Sequence, residues 1–311
     1  MQSASHSPIL TVSHLRKEYG DFVAVDDISF QIPTGKVVGF LGPNGAGKTT
    51  TIQMLTGITT RTAGKITYFG RDFDHDREYC LQHINSTSAF NTLLGRITVR
   101  ENLNVFAHLY AAKNVRSKVD ELLTYFEIDD LASKLYQYLS AGQKTRVNLV
   151  KSLLNDPKLI LMDEPTASLD PDIADKTLSL IEKLRDERKL SILFTSHNMD
   201  EVARLCDWVI FIDHGRIVTQ GTPENLIKMI PEVTITATYE GGHEKLATYF
   251  QMMKMTYHFH EHQRVDAQVP HGQVGIFLHD LAEHVDRILD IDIVKPKLED
   301  VFIQIARKTT N

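Results

Sequence analysis

The clearest chemistry in this sequence lies at Gly42-Pro43-Asn44-Gly45-Ala46-Gly47-Lys48-Thr49, a Gly-x-x-x-x-Gly-Lys-[Ser/Thr] run followed by Thr50. Glycines in such a run let backbone N–H groups close around phosphate oxygens with no Cβ in the way. A helix opening at Lys48 would add the partial positive charge of its N-terminus. The Lys48 ammonium suits the β- and γ-phosphates, and the Thr49 hydroxyl suits a magnesium ion. The run is therefore expected to bind a nucleoside triphosphate with Mg2+. A second feature is the apolar stretch Leu159-Ile160-Leu161-Met162, which ends in Asp163 and Glu164. A carboxylate at that strand end can hold the magnesium water shell opposite Thr49, a role expected of Asp163. Glu164 can orient or deprotonate an attacking water. Many buried strands end in Asp, so this pair gains its weight from its surroundings.

Elements that position these residues are legible around them. Val37–Leu41 reads as the strand feeding the loop and Lys48–Leu55 as the helix leaving it. Further strand-like runs lie at 22–32, 158–162, Ser191–Thr195 and 208–212, several nearly continuous in apolar residues, as strands covered on both faces require. Their alternation with helical stretches predicts a largely parallel α/β sheet. Helical periodicity places an inserted helical subdomain at about 98–138. The pattern changes near Pro231, giving domains of 1–230 and 231–311. In the second, a strand at 232–239 and a helix at 244–252 precede strands near 254–260 and 273–278. A helix near 280–289, a strand near 290–294 and a helix near 298–307 follow. That order, βαββαβ plus a terminal helix, predicts a small α+β, ferredoxin-like domain.

The 311 residues suit about two domains. With 42% hydrophobic and 24% charged residues, the chain can bury a core and is not of the disordered or collagenous classes. Asp plus Glu exceed Lys plus Arg by 40 to 34, so attraction to nucleic acid through bulk positive charge is not expected. Apolar runs fall short of the roughly 20 residues that cross a bilayer, and the opening Met1–His6 lacks a secretory leader's pattern, predicting a soluble, cytoplasmic chain. Cys80 and Cys206 stand alone, which argues against a disulfide framework or a cysteine zinc site.

One further motif narrows the class. Tyr138-Leu139-Ser140-Ala141-Gly142-Gln143 closely matches the Leu-Ser-x-Gly-Gln signature of ATP-binding cassette (ABC) ATPases, with similar spacing to Asp163. Ser140 and Gly142 stand at the start of a predicted helix, 141–154, where hydroxyl, backbone N–H and helix dipole can face an anion. The first 230 or so residues thus resemble one complete ABC nucleotide-binding domain, a P-loop α/β fold with a helical subdomain. The resemblance implies that Ser140, Gly142 and Gln143 meet the γ-phosphate held by an opposite subunit, so that two copies close head-to-tail around two ATP molecules as a homodimer. It likewise implies that Ser168-Leu169-Asp170 is the D-loop, with Asp170 at the dimer contact. His197 matches the switch histidine that touches the γ-phosphate and Glu164, and Tyr19 matches the aromatic that stacks on adenine. One departure stands out. The family's magnesium-binding Gln is missing from Ile84-Asn85-Ser86-Thr87-Ser88-Ala89-Phe90-Asn91, where Ser88 or Asn91 can offer an oxygen through water instead.

Near the other end, Pro296-Lys297-Leu298-Glu299-Asp300-Val301-Phe302 is similar to the closing Pro-x-Leu-Glu-Asp-Val-Phe of an exporter group whose ATPase is a separate chain from its permease. The resemblance therefore implies an ATP-hydrolysing subunit at the inner face of the membrane, driving a separate transmembrane permease, with no nucleic acid as partner. Two alternatives stay open: a soluble ABC ATPase acting on ribosomes or DNA, and an importer ATPase with a regulatory C-terminal domain. His258, His260 and His262 alternate in the second domain, with His271, His279 and His284 beyond. On one strand face two or three of them can bind zinc or copper, but without identifiable partner residues a solvated face is expected.

Overall fold

Val37–Leu41, Ser191–Thr195 and Trp208–Asp213 are apolar at almost every position, and apart from Trp208 all their residues are buried. Such strands need cover on both faces of their sheet. In the computed structural model, which describes residues 8–88, 92–167, 169–261 and 263–309, they form the middle of a six-stranded sheet. Its order is Arg216–Gly221, Trp208–Asp213, Val37–Leu41, Ser191–Thr195, Leu159–Asp163, Ile84–Ser88. Every pairing in it is parallel except the first. The C-terminal ends of Val37–Leu41, Leu159–Asp163 and Ser191–Thr195 therefore open along one rim, where α/β sheets of this kind bind ligands.

A four-stranded antiparallel sheet, ordered Phe22–Pro33, Pro8–Tyr19, Ala63–Tyr68, Arg71–Asp72, shares one apolar core with the parallel sheet. Leu10, Ile32 and Ile66 enter it from one side and Phe40, Leu161 and Leu193 from the other. Helices Val99–Leu109 and Val115–Tyr125, with short 3-10 turns at Asp129–Leu131 and Tyr136–Tyr138, fill the region expected to be a helical subdomain. Thr98 and Glu101 close the first of these helices with a reciprocal capping box.

The chain divides into two compact units, Met1–Pro223 and Glu224–Lys308, with the short helix Pro223–Ile227 crossing the division. The second unit is a four-stranded antiparallel sheet ordered Tyr257–His260, Arg264–Pro270, Glu232–Glu240, Arg287–Val294. With helices His243–Met252 and Val274–His284 it has the βαββαβ order of a ferredoxin-like fold, followed by the helix Leu298–Thr309. Alternation drives its packing: Val233, Ile235, Ala237 and Tyr239 face a core shared with Leu246, Phe250, Phe277 and Leu281.

Two segments of this unit differ from expectation. Residues 273–278, read as a strand, begin the helix Val274–His284, and the third strand lies upstream at Arg264–Pro270. The run Val274-Gly275-Ile276-Phe277-Leu278 is apolar enough for a buried strand, but Phe277 and Leu281 are four apart and share one buried helix face. In Arg264–Pro270 the buried residues are the alternate Val265, Ala267 and Val269. The helix expected near 280–289 accordingly ends at His284.

Candidate nucleotide-binding and catalytic site

The loop after Val37–Leu41 is shaped by its glycines. A Cβ on Gly42 would lie 2.1 Å from the Ile212 carbonyl oxygen of the neighbouring strand, so only glycine lets the loop leave the sheet there. Gly47 caps the helix Lys48–Leu55 at φ 105°, in the left-handed region, and a Cβ on it would lie 2.6 Å from the Ala24 carbonyl. Pro43, Asn44, Gly45 and Ala46 form the turn between them, with Asn44 and Gly45 exposed. The Lys48 ammonium is buried and donates to the carbonyls of Gly42 at 2.6 Å and Pro43 at 3.0 Å. Burial pushes its pKa below the ordinary lysine value, and the carboxylates of Glu164 and Asp163 offset part of that shift. Thr49 is exposed at the helix start, with Thr50 next to it.

Strand register assembles the rest. Asp163 is paired with Thr195 on one side and with Ser88 on the other. The Thr195 hydroxyl donates to Asp163 Oδ1 at 2.7 Å and accepts from the Glu164 N–H at 2.9 Å. Glu164 has φ 51°, a left-handed conformation costly for a residue with a side chain, of order 1–3 kcal/mol. Its carboxylate meets His197 Nε2 at 2.6 Å. The tail of one strand thus serves three partners in succession: Thr195 bonds Asp163, Ser196 donates to the buried Glu201, and His197 reaches Glu164. Glu164 and His197 line a cavity of about 480 Å³ that Glu201 and Asp200 also border.

Thr49 and Asp163 offer hydroxyl and carboxylate oxygens, the hard donors that a small dication prefers, so the residues present fit magnesium. Lys48 and the N-terminus of its helix supply positive character for phosphate. The arrangement can hold a metal-bound polyphosphate and put a carboxylate, steadied by an imidazole, beside its outer end.

Other predicted residues lie elsewhere. Ser140 caps the helix Ala141–Ser152, accepting from the Gln143 N–H at 3.3 Å while the Gln143 side chain accepts from the Ser140 N–H at 3.0 Å. A Cβ on Gly142 would come within 2.5 Å of an Ile173 methyl, so this glycine also lets two helices approach. Asp170 stands at the N-cap of Pro171–Arg188, and its carboxylate does not cap that helix. Tyr19 ends a hairpin opposite Phe22; the residue is 48% exposed, and its ring centre lies 4.6 Å from the Lys17 ammonium. Ser168, Asn91 and His262 lie outside the described residues. His258 and His260 sit with ring centres 4.6 Å apart, and His260 bonds Asp266 at 2.8 Å. Among the described residues no group of three or more His, Cys, Asp or Glu side chains is arranged to hold a metal.

Thr195, Thr166, Ser196 and Glu201 were not singled out from sequence. Their only signal was position, within two residues of Glu164 or four of His197.

Fold and site together define a P-loop ATPase of the cassette type, and the chain belongs to the family of ABC transporter ATP-binding subunits. The ABC transporter family model matches residues 25–167. Over 96% of its length and 96% of the relative's, the chain is 31% identical to the Nod factor export ATP-binding protein I of Rhizobium sp. (strain N33). It is 38% identical to the protein of that name from Ralstonia nicotianae, over 71% of this chain and 69% of that one. It is also 28% identical to the linearmycin resistance ATP-binding protein LnrL of Bacillus subtilis (strain 168), covering 97% and 99% of the two chains. Among solved structures, cbiO1 from Clostridium perfringens, part of the ABC transporter complex cbiONQ, aligns with a TM-score of 0.64 and 28% identity. That alignment covers 79% of this chain and 99% of the other.

Proposed function

We propose that this chain is the ATP-hydrolysing subunit of an exporter, acting as a homodimer that drives a separate membrane permease. The observation that carries the catalytic part is the 2.6 Å contact between His197 and Glu164, beside Asp163 and the Lys48 loop. Residues 42–50 would cradle the triphosphate through backbone N–H groups and Lys48. Thr49 and Asp163 would hold magnesium, whose charge would offset that of the phosphates when bound. Glu164 takes the proton of the attacking water, and His197 keeps that carboxylate turned toward the outer phosphate. Tyr19 offers its exposed ring to adenine. Ser140, Gly142 and Gln143, at the positive end of their helix, face the nucleotide of the second copy, with Asp170 at the contact between copies.

The exporter reading is supported by relatives named for Nod factor export and linearmycin resistance and by the 296–302 stretch. The permease reading is supported by a groove of about 760 Å³ bordered by Ile58, Leu81, Asn85 and Leu109. Ile58 and Leu109 are more than two-thirds exposed there, apolar surface suited to a partner's side chains. Glu164→Gln tests the reading, because it keeps the side-chain shape and removes the base. It should yield a stable dimer with ATP bound while turnover falls by about a hundredfold or more. A variant that stays monomeric at saturating ATP, as judged by light scattering, overturns the composite-site reading.

A further inference from the structure

Glu201 is a buried carboxylate with no part in the chemistry above, yet it touches two loops that do take part. Its Oε2 accepts from the Thr166 hydroxyl at 2.7 Å and from the Ser196 hydroxyl at 2.7 Å. Only 7% of the residue is exposed. Burying a carboxylate is costly unless hydrogen bonds compensate, and here two hydroxyl donors and the first turn of the helix Met199–Leu205 do so.

From this geometry we infer that Glu201 is a positioning residue for hydrolysis, tying the segment 164–167 to the strand tail that carries His197. The contacts close a ring. Glu164, Pro165 and Thr166 are consecutive; Thr166 meets Glu201; Glu201 meets Ser196; Ser196 precedes His197; and His197 returns to Glu164 at 2.6 Å. The His197 side chain is 51% exposed, so little packing fixes its imidazole and the backbone beneath it decides where Nε2 lies. Two bonds anchor that backbone through Ser196, whose hydroxyl donates to Glu201 and accepts from the Asn198 N–H at 3.0 Å. Releasing Glu201 frees both loops at once. This inference rests on the ATPase reading above.

Steady-state turnover of the full chain against MgATP concentration tests it. Glu201→Ala should lower kcat by about tenfold to a hundredfold, the cost of misplacing a catalytic group, with KM for ATP within about threefold. Glu201→Gln keeps an oxygen able to accept both hydroxyls and should retain more than about half of kcat. Thr166→Val should lower kcat on its own and add no further loss to Glu201→Ala, since both break the same tie. The inference is overturned if Glu201→Ala matches wild type, if the Thr166→Val loss simply adds to it, or if the Gln variant is as impaired as the Ala variant. Should Glu201→Ala not fold, the pair Thr166→Val and Ser196→Ala decides the matter, and a double variant with wild-type kcat overturns it. A wild-type chain without turnover would overturn the ATPase reading itself, whereas a fully active Glu201→Ala chain would overturn only this inference.

Discussion

At the scale of single residues, Thr195 shows how a side chain outside every motif can govern one inside. Its hydroxyl holds Oδ1 of Asp163, leaving the other carboxylate oxygen turned by that bond, and it also takes the Glu164 N–H. Partners that orient a metal-binding carboxylate cost about 10–100-fold in metal affinity when removed. Thr195→Val keeps volume and branching but loses both bonds, so the magnesium concentration for half-maximal turnover should rise about tenfold or more. Thr195→Ser should restore it, and an unchanged magnesium dependence would count against the assignment of Asp163. Lys48, Asp163, Glu164 and His197 were legible in the sequence because each sits in or just after a short motif. Thr195 was not, since its importance arises from pairing with Asp163 across two strands.

At the scale of elements, the helix Ala141–Ser152 carries two demands at its first turn. Ser140 closes a capping box with Gln143, an ordinary structural duty. In the proposed dimer its hydroxyl also donates to a phosphate, which the cap leaves free to happen because the cap uses the oxygen as acceptor. Substitution separates the two duties. Ser140→Ala should cost about 1 kcal/mol of stability, read from the denaturation midpoint, and should also weaken ATP-driven dimerisation. Ser140→Asp should keep the stability, because Asp caps as well as Ser, yet still lose dimerisation through repulsion of the phosphate. If Ser140→Asp dimerises normally, the residue acts as a cap alone.

Helix and strand assignment shows where sequence reading stops at this scale. Val37–Leu41, Lys48–Leu55 and Ser191–Thr195 have the bounds expected of them, since apolar runs there are framed by glycine, lysine or polar breaks. Residues 273–278 offered no such frame. Val274, Ile276, Phe277 and Leu278 satisfy either period over so short a run, and tertiary packing of Phe277 against Phe250, ring centres 6.0 Å apart, settles the helix.

At the scale of the whole molecule, each unit has an apolar core of its own. Among the described residues no helix is long and apolar enough to cross a membrane. The proposed role in transport predicts recovery of a membrane-spanning partner. Purification of the full chain from its native membrane in mild detergent should bring down a polytopic membrane protein. Recovery with ribosomes or DNA instead would favour a soluble ABC ATPase and overturn the transport reading.

The sequence by itself determined the phosphate loop, the acidic strand end, the signature and the family they imply. Each is a continuous stretch whose chemistry depends on near neighbours: Lys48 bonds a carbonyl six residues away, and Ser140 a residue three away. Tertiary structure alone decided how the candidate catalytic groups are tied. Thr195 lies 32 positions from Asp163, and Thr166 lies 35 from Glu201. The first of those bonds exists because parallel pairing sets Leu159–Asp163 against Ser191–Thr195 in one register. A shift of one residue would turn the Thr195 hydroxyl to the other face.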